Sequence, residues 1–473
     1  MDLSKNCIPE KIQKIHLIAI CGTAMGALAS ALKDMGFTVT GSDQSVYPPM
    51  SDFLERKGIK ISQGFEAEHI SYGPELVVVG NTVSKDNSEV VKMQQMGLNF
   101  CSMPQAVNYF LAAGKKPLLV VGTHGKTTTS SILAWVLHTA GLDPCFMIGG
   151  ILKNFNSNYA FGKGNYIVIE GDEYDTSFFD KGPKFLHYNP FTTIMTSVEF
   201  DHADIFKDFE HVKQSFDTFI SGIDPQHTLF ACNDDDGVAG LIQSRQCKVI
   251  KYGSGPASAW RLGAVSIDPP WTFFEVLNHR KVFGNFKTKL AGEHNLLNAL
   301  SVIAVAHHLK IPAEVIAGAI ETFEGIKRRQ EVRGIKNGIT VMDDFAHHPT
   351  AVKETIRALK PFHADGRLLA VFEPRTNSSM RKVFQDVYPL SFDEADLICI
   401  REPSRLDKIK PDERFSSEKL VADLKNKGKD AYYFPNTATI IDFLVNTACT
   451  GDLILIMSNG GFDNIHEKLL KKL

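Results

Sequence analysis

The sequence predicts an α/β protein of three domains: a Rossmann-like N-terminal domain, a P-loop-type central domain and a Rossmann-like C-terminal domain. Three observations carry this. Short runs rich in Val, Ile and Leu alternate with helix-like stretches along the whole chain, the pattern of parallel strands joined by helical crossovers. Glycine and polar residues gather just after the apolar runs, where parallel sheets bind ligands. The length, 473 residues, exceeds what one hydrophobic core supports and fits about three domains.

The first domain is assigned to residues 1–109. Residues 15–20 read as a strand, residues 21–26 as a tight turn, and residues 27–35 as a helix. A second strand over 37–43 ends in Ser42 and Asp43, and a later one over 75–81 ends at Asn81. Gly22, Gly26, Asp43 and Asn81 therefore share one sheet edge. The turn is not a full Gly-x-Gly-x-x-Gly, because Ala24 stands at the middle position. A diphosphate at the helix start with a ribose on Asp43 fits any nucleoside diphosphate. A turn that only packs helix against strand fits the same residues.

The second domain, 110–326, carries the most informative stretch. An apolar run over 118–121 leads into Gly122-Thr123-His124-Gly125-Lys126-Thr127-Thr128 and then an apolar helix. In such an arrangement backbone N–H groups and the helix N-terminus face anionic oxygens, Lys126 adds charge, and the Thr127 hydroxyl can hold Mg²⁺. The loop is shorter than the usual P-loop. Two more strands are expected over 166–173 and 193–202, ending in Glu170-Gly171-Asp172-Glu173 and Asp201-His202. Glu170 and His202 thus fall on the phosphate-loop edge, within reach of a metal on a triphosphate. Residues 290–300 begin a helix whose polar start holds Asn295, either for a base edge or as a cap.

The third domain, 327–473, follows Arg328-Arg329. Strands over 339–344, 368–372 and 453–461 run into Phe345-Ala346-His347-His348-Pro349, Glu373-Pro374-Arg375-Thr376-Asn377 and Ser458-Asn459-Gly460-Gly461-Phe462. The glycines at 460 and 461 are expected to leave room for an extended ligand, with Arg375 pairing a carboxylate.

Composition narrows the class. A hydrophobic share of 44% with 22% charged residues is ordinary for globular proteins. A formal net charge of −3 argues against a nucleic-acid surface. None of the eight cysteines forms a Cys-x-x-Cys pair, so neither a disulfide framework nor a zinc site is indicated. No apolar run reaches membrane-span length and the first residues lack a signal-peptide core, so a cytoplasmic protein without membrane insertion is expected.

In order and spacing, the phosphate loop, Glu170-Gly171-Asp172-Glu173, Asp201-His202, Gly292-Glu293-His294-Asn295, Arg328-Arg329 and Asp344-Phe345-Ala346-His347-His348-Pro349 resemble the Mur ligases over nearly the whole chain. Thr-His-Gly-Lys and His-His-Pro-Thr resemble the branch whose acceptor is UDP-N-acetylmuramate. Within it, residues 46–51, 199–206, 373–377 and 457–462 resemble the member that adds the recycled tripeptide L-alanyl-γ-D-glutamyl-meso-diaminopimelate, rather than the one that adds L-alanine. Phe345 stands where the L-alanine branch usually has Tyr, and Lys213 is not assigned the carbamylated-lysine role known in other branches.

The resemblance implies an ATP- and Mg²⁺-dependent amide ligase of peptidoglycan recycling and biosynthesis, and through them of cell-wall biogenesis, cell shape and division. Lys126, Glu170 and His202 are the implied catalytic groups. Thr127, Glu170 and His202 are the implied metal ligands. Gly122, Thr123, His124, Gly125, Lys126, Thr127, Thr128, Asn295, Arg328, Arg329 and Asp344 would hold ATP. Gly22, Gly26, Ser42, Asp43 and Asn81 would hold the UDP moiety, and His347 and Arg375 the incoming amine. Monomer and homodimer both stay open. A nucleotide-switched regulator, a UDP-sugar oxidoreductase and a folylpolyglutamate synthetase are the competing readings.

Overall fold

The computed structural model describes all residues except 47–49, 244, 405 and 407–408. Tyr47, Pro48 and Pro49, part of the stretch over 46–51, thus lie outside the described residues. By contacts the chain forms two compact units. One comprises Met1–Val198, Lys213–Arg261 and Leu300–Ile320, the other Glu199–Val212, Leu262–Ala299 and Glu321–Leu473.

The first unit holds two large sheets and a two-stranded ribbon of Asp175–Ser177 with Asp180–Pro183. Five parallel strands lie in the order Lys60–Gln63, Thr38–Asp43, Lys14–Ile18, Leu76–Val79, Asn99–Ser102. The chain works outward from the Lys14–Ile18 strand in one direction and then the other, so the order reverses beside that strand. The glycine turn follows there, at the switch point where open parallel sheets take ligands. In the second sheet the strand Lys116–Val121 lies between Thr192–Met195 and Tyr166–Gly171, parallel to both. Central strands buried on both faces need continuous apolar runs, and Leu118 to Val121 are all buried. The two sheets' domains touch through Tyr159, whose hydroxyl donates to Asp34 at 2.7 Å, and Asn158, whose amide donates to the Thr23 carbonyl at 3.0 Å.

The second unit is built on a six-stranded sheet in the order Glu331–Lys336, Ile339–Asp344, Leu453–Met457, Leu368–Phe372, Leu397–Arg401, Ala431–Phe434. Its core lies on both faces, around Phe372, Tyr388 and Phe392 on one side and Leu369, Ile440 and Phe462 on the other. The edge strand Glu331–Lys336 is antiparallel, so this sheet is mixed rather than purely parallel. None of that edge strand's residues is buried, so no apolar run marks it in the sequence.

Several boundaries move from expectation. The first helix starts at Thr23, with Gly22 as its cap, not at 27. The phosphate-loop helix starts at Lys126. The strand expected over 193–202 stops at Met195, because the next residues serve the loop: Thr196 N–H donates to the Val121 carbonyl, and the Ser197 carbonyl accepts from Thr123 N–H. The strand ending in acids stops at Gly171, the helix carrying Asn295 starts at Glu293, and the last strand stops at Met457.

Candidate active site

The phosphate loop is shaped by its two glycines. Gly122 has φ of 132° and Gly125 has φ of 78°, values that favour glycine. Gly122 also has no room for a side chain, since an added Cβ would stand 2.2 Å from Thr196 Oγ1. Ser197 braces the turn by accepting from Thr123 N–H on its carbonyl and from His124 N–H on its hydroxyl, both at 2.9 Å. The helix Lys126–Thr139 is capped by Gly125, which has no side chain to occupy its first-turn N–H groups. Such an end suits an anion.

Lys126 Nζ donates to the Gly122 and Thr123 carbonyls, at 2.6 and 3.2 Å, and to Glu173 Oε2 at 2.7 Å. Burial works to lower its pKa, but Glu173, Asp172 and Glu170 outweigh burial and raise it, so the ammonium stays charged. Thr127 Oγ1 donates to Glu170 Oε1 at 2.9 Å, and Gly149 N–H donates to Glu170 Oε2 at 2.7 Å. A hydroxyl and a carboxylate this close form a hard oxygen donor pair, which fits Mg²⁺. Thr128 is buried behind them. Glu173 was not singled out by sequence; its place in a run of acids at a strand end was the available signal.

On the first sheet, Cys21 N–H donates to Asp43 Oδ2 at 2.9 Å, while Ala19 and Ile20 N–H donate to the Ser42 carbonyl at 2.8 and 3.0 Å. The Ser42 hydroxyl points inward and donates to buried Glu89 at 2.6 Å. An added Cβ on Gly26 would stand 2.3 Å from Met50 Cε, so that glycine serves helix packing. Asn81 is partly exposed beyond the strand Leu76–Val79.

In the second unit, His202 has φ of 53°, and its N–H donates to Asp201 Oδ1 at 2.6 Å. Asp201 is buried, with His347 Nε2 at 3.9 Å from its other oxygen. Burial raises its pKa, but His202, His347 and His348 pull it well below the usual carboxylate range. His347 is oriented by its Nδ1 on the Phe345 carbonyl at 3.0 Å and by Tyr388, whose hydroxyl donates to the His347 carbonyl. His348 caps the helix Pro349–Leu359 through Nδ1 and bonds the Phe200 carbonyl through Nε2 at 3.1 Å. Glu199, which accepts from Thr350 Oγ1 at 2.8 Å and faces His348 Nδ1 at 3.6 Å, and Tyr388 were given no role by sequence.

Arg328 and Arg329 both lie on the Phe345 ring, with Cζ 5.3 and 4.8 Å from its centroid. Arg328 is further engaged by Asp343 and by the Ser458 and Gly460 carbonyls. Asp344 is buried and accepts from Gln330 and Ala346 N–H, both at 2.8 Å; burial raises its pKa despite Arg329. Asn295 is buried, donating to the Ala291 carbonyl at 2.8 Å and accepting from Asn298. Its amide is thus engaged within its own segment. Arg375 pairs with Glu373 at 3.7 Å.

Lys126, Thr127 and Glu170 meet in the first unit. His202, His347, Arg328, Arg329, Asp344 and Arg375 belong to the second.

Family models cover most of the chain. The Mur ligase family, catalytic domain, matches residues 14–115; the Mur ligase middle domain, residues 120–306; and the Mur ligase, glutamate ligase domain, residues 328–460. A UDP-N-acetylmuramate–L-alanyl-γ-D-glutamyl-meso-2,6-diaminoheptandioate ligase of Haemophilus influenzae is 39% identical over 98% of this chain and 99% of its own length. A UDP-N-acetylmuramate–L-alanine ligase of Caldanaerobacter subterraneus is 33% identical over 98% of each. The crystal structure of a murein peptide ligase from Psychrobacter arcticus superposes with a TM-score of 0.73 at 33% identity, covering 97% of this chain and 98% of that one. The three α/β domains are those of the Mur ligase architecture. Matched along its whole length in sequence and in fold, the chain belongs to the Mur ligase family.

Proposed function

We propose that the chain joins UDP-N-acetylmuramate to the tripeptide L-alanyl-γ-D-glutamyl-meso-diaminopimelate at the expense of ATP, in peptidoglycan recycling. The observation that carries this is the 39% identity, end to end, with a ligase of that name. The L-alanine-adding reading has weaker support, from relatives at 33%.

A carboxylate is a poor electrophile and must be activated before an amine will attack it. The lactyl carboxylate attacks the γ-phosphorus of ATP, the bond to the β-phosphate oxygen breaks, and ADP leaves. The amine, having shed its ammonium proton, attacks the acyl carbon and inorganic phosphate departs. Both steps bring anions together, so positioning and cationic screening dominate. Lys126 screens the β- and γ-phosphates from a loop whose N–H groups face them. Mg²⁺, when bound, neutralises phosphate charge; Thr127, Glu170 and His202 are the residues assigned to hold it. Arg328, Arg329 and Asp344 are assigned to ATP, and Asn295, once its amide leaves the Ala291 carbonyl, to the base. Gly22, Gly26, Ser42, Asp43 and Asn81 hold UDP, and His347 and Arg375 meet the peptide. Residues 1–109, 110–326 and 327–473 are the corresponding UDP, ATP and peptide domains.

The test is an amine panel at fixed UDP-N-acetylmuramate and ATP, following ADP release. The tripeptide should give the higher kcat/KM. A clear preference for free L-alanine moves the chain to the L-alanine-adding branch. ADP release that needs neither amine nor acceptor removes the ligase reading.

A further inference from the structure

Gly460 and Gly461 stand side by side beyond the strand Leu453–Met457, and they do different things. Among the described residues, no heavy atom beyond its chain neighbours lies within 4 Å of where a side chain on Gly461 would begin. At Gly460 that position is taken. Arg375 Nε, Cδ and Cζ lie 2.2, 2.3 and 2.5 Å from an added Cβ. The sequence expectation gave both glycines to a ligand; Gly460 instead makes a seat for the Arg375 guanidinium.

The seat is built from beneath. Arg328 Nη2 donates to the Ser458 and Gly460 carbonyls, both at 2.6 Å. The Ser458 hydroxyl accepts from Gly460 N–H at 3.0 Å and donates to Glu373 Oε2 at 2.6 Å. Glu373 is fully buried. Its other oxygen takes Arg401 Nη1, while Arg401 Nη2 donates to Asp463 at 2.7 Å. Glu373 is thus mostly satisfied by Arg401 and Ser458, and its approach to Arg375 is the longer one, 3.7 Å. The Arg375 backbone is fixed by Ser379 Oγ at 2.9 Å. A guanidinium has five donors in a planar fork. Packed on Gly460 and with Nη1 3.7 Å from Glu373, the Arg375 side chain is still 22% exposed.

We propose that Gly460 is a specificity-determining residue: its missing side chain seats Arg375 so that the outer guanidinium N–H groups meet a carboxylate of the incoming peptide. This rests on the peptide-ligase reading above. A planar fork reads a carboxylate bidentately only if held in place. A methyl group at 460 displaces the far end of a flexible side chain rather than backbone, so Gly460→Ala keeps its fold while the fork moves.

The experiment compares wild type and Gly460→Ala with the tripeptide and with analogues that each carry one carboxylate as its amide. Wild type should favour the tripeptide over at least one amide by about tenfold or more in kcat/KM. Gly460→Ala should lose that preference, with KM for the tripeptide raised and KM for UDP-N-acetylmuramate unchanged. Trapping of the activated acyl group by hydroxylamine should also be unchanged, which separates peptide recognition from activation. Arg375→Lys keeps the charge but not the fork and should lose the same preference; it carries the test if Gly460→Ala does not fold. Full retention of the preference in either folded variant, or a wild type indifferent to all the amides, overturns the proposal. A wild type that rejects the tripeptide altogether overturns the functional reading instead.

Discussion

Lys126 Nζ lies 2.7 Å from Glu173 Oε2, in an ion pair whose side chains are only 11% and 2% exposed. A buried pair gains little in stability over an apolar one, but breaking it strands a charge at a cost of about 3–5 kcal/mol. Lys126→Ala should therefore do two separable things. Turnover should fall on the order of 10²-fold or more through lost phosphate screening. Urea unfolding should show a destabilised protein, because buried Glu173 loses the ammonium that faces it at 2.7 Å. Adding Glu173→Gln should restore stability without restoring turnover. A folded Lys126→Ala protein turning over within a few-fold of wild type would sink the phosphate-loop assignment.

Glu170 sits between Thr127 Oγ1 and Gly149 N–H, one carboxylate oxygen for each. An added Cβ on Gly149 would stand 2.9 Å from Glu170 Oε2, so the glycine lets the carboxylate close down on the backbone. Glu170→Ala and His202→Ala should each raise the Mg²⁺ concentration needed for half-maximal activity by about tenfold or more, with partial rescue at high Mg²⁺. Titrating Mg²⁺ at saturating ATP checks this. Unchanged titrations in both variants would make these residues structural.

What was legible depended on how local the signal was. The strand Lys116–Val121 and its loop are written in contiguous residues, an apolar run followed by Gly, Lys and Thr, and the structure delivers them as a strand, a turn with two left-handed glycines and a helix. The strand Ile339–Asp344 was equally plain. Glu173 was not, because the feature that matters is its pairing with a lysine 47 residues away. The seat at Gly460 was hidden for the same reason: a glycine announces that space is needed, not what fills it. Helix starts were set late because Thr23 and Lys126 look like loop residues in sequence, yet a glycine cap lets the helix begin on them.

His466, on the helix Ile465–Lys472, is a pH-sensitive element of the C-terminal sheet's helical cover. Burial first, then Arg333, lowers its pKa from 6.5 to about 4; Arg328 acts the same way, Glu467 and Glu331 oppose, and Asp343 Oδ1 faces Nε2 at 3.5 Å. The folded protein thus resists protonating a group that the unfolded chain protonates near pH 6.5. The unfolded state binds more protons between about pH 6.5 and 4, so stability falls as pH drops through that window and is intact above it. The full effect is roughly 3 kcal/mol. His466→Gln should flatten that part of the pH dependence in urea unfolding at pH 7 and pH 4.5. An identical slope in wild type and variant would assign the loss to other groups.

Phe345 carries two guanidinium groups, Arg329 at 4.8 Å and Arg328 at 5.3 Å from its ring centroid. Two cations beside one ring repel each other, and the ring's negative face offsets this by about 0.5–1 kcal/mol per contact. Arg328 is also fixed by Asp343 and by two backbone carbonyls, so it keeps its place when the ring is lost. Arg329 lies closer to the ring, and Asp344, whose charge it stabilises, is already satisfied by Gln330 and Ala346 N–H groups. Phe345→Leu keeps apolar bulk but removes the quadrupole, so both guanidiniums lose a cation–π contact. If Arg329 reaches ATP, KM for ATP should rise several-fold, by the loss of about 0.5–1 kcal/mol. At saturating ATP, kcat and the tripeptide KM should stay near wild type. Phe345→Tyr keeps the ring and should leave KM for ATP unchanged. Initial rates over an ATP series for the three proteins decide it. A Phe345→Leu variant that is less stable but has an unaltered KM for ATP would reduce the ring to packing and take Arg329 out of the nucleotide site.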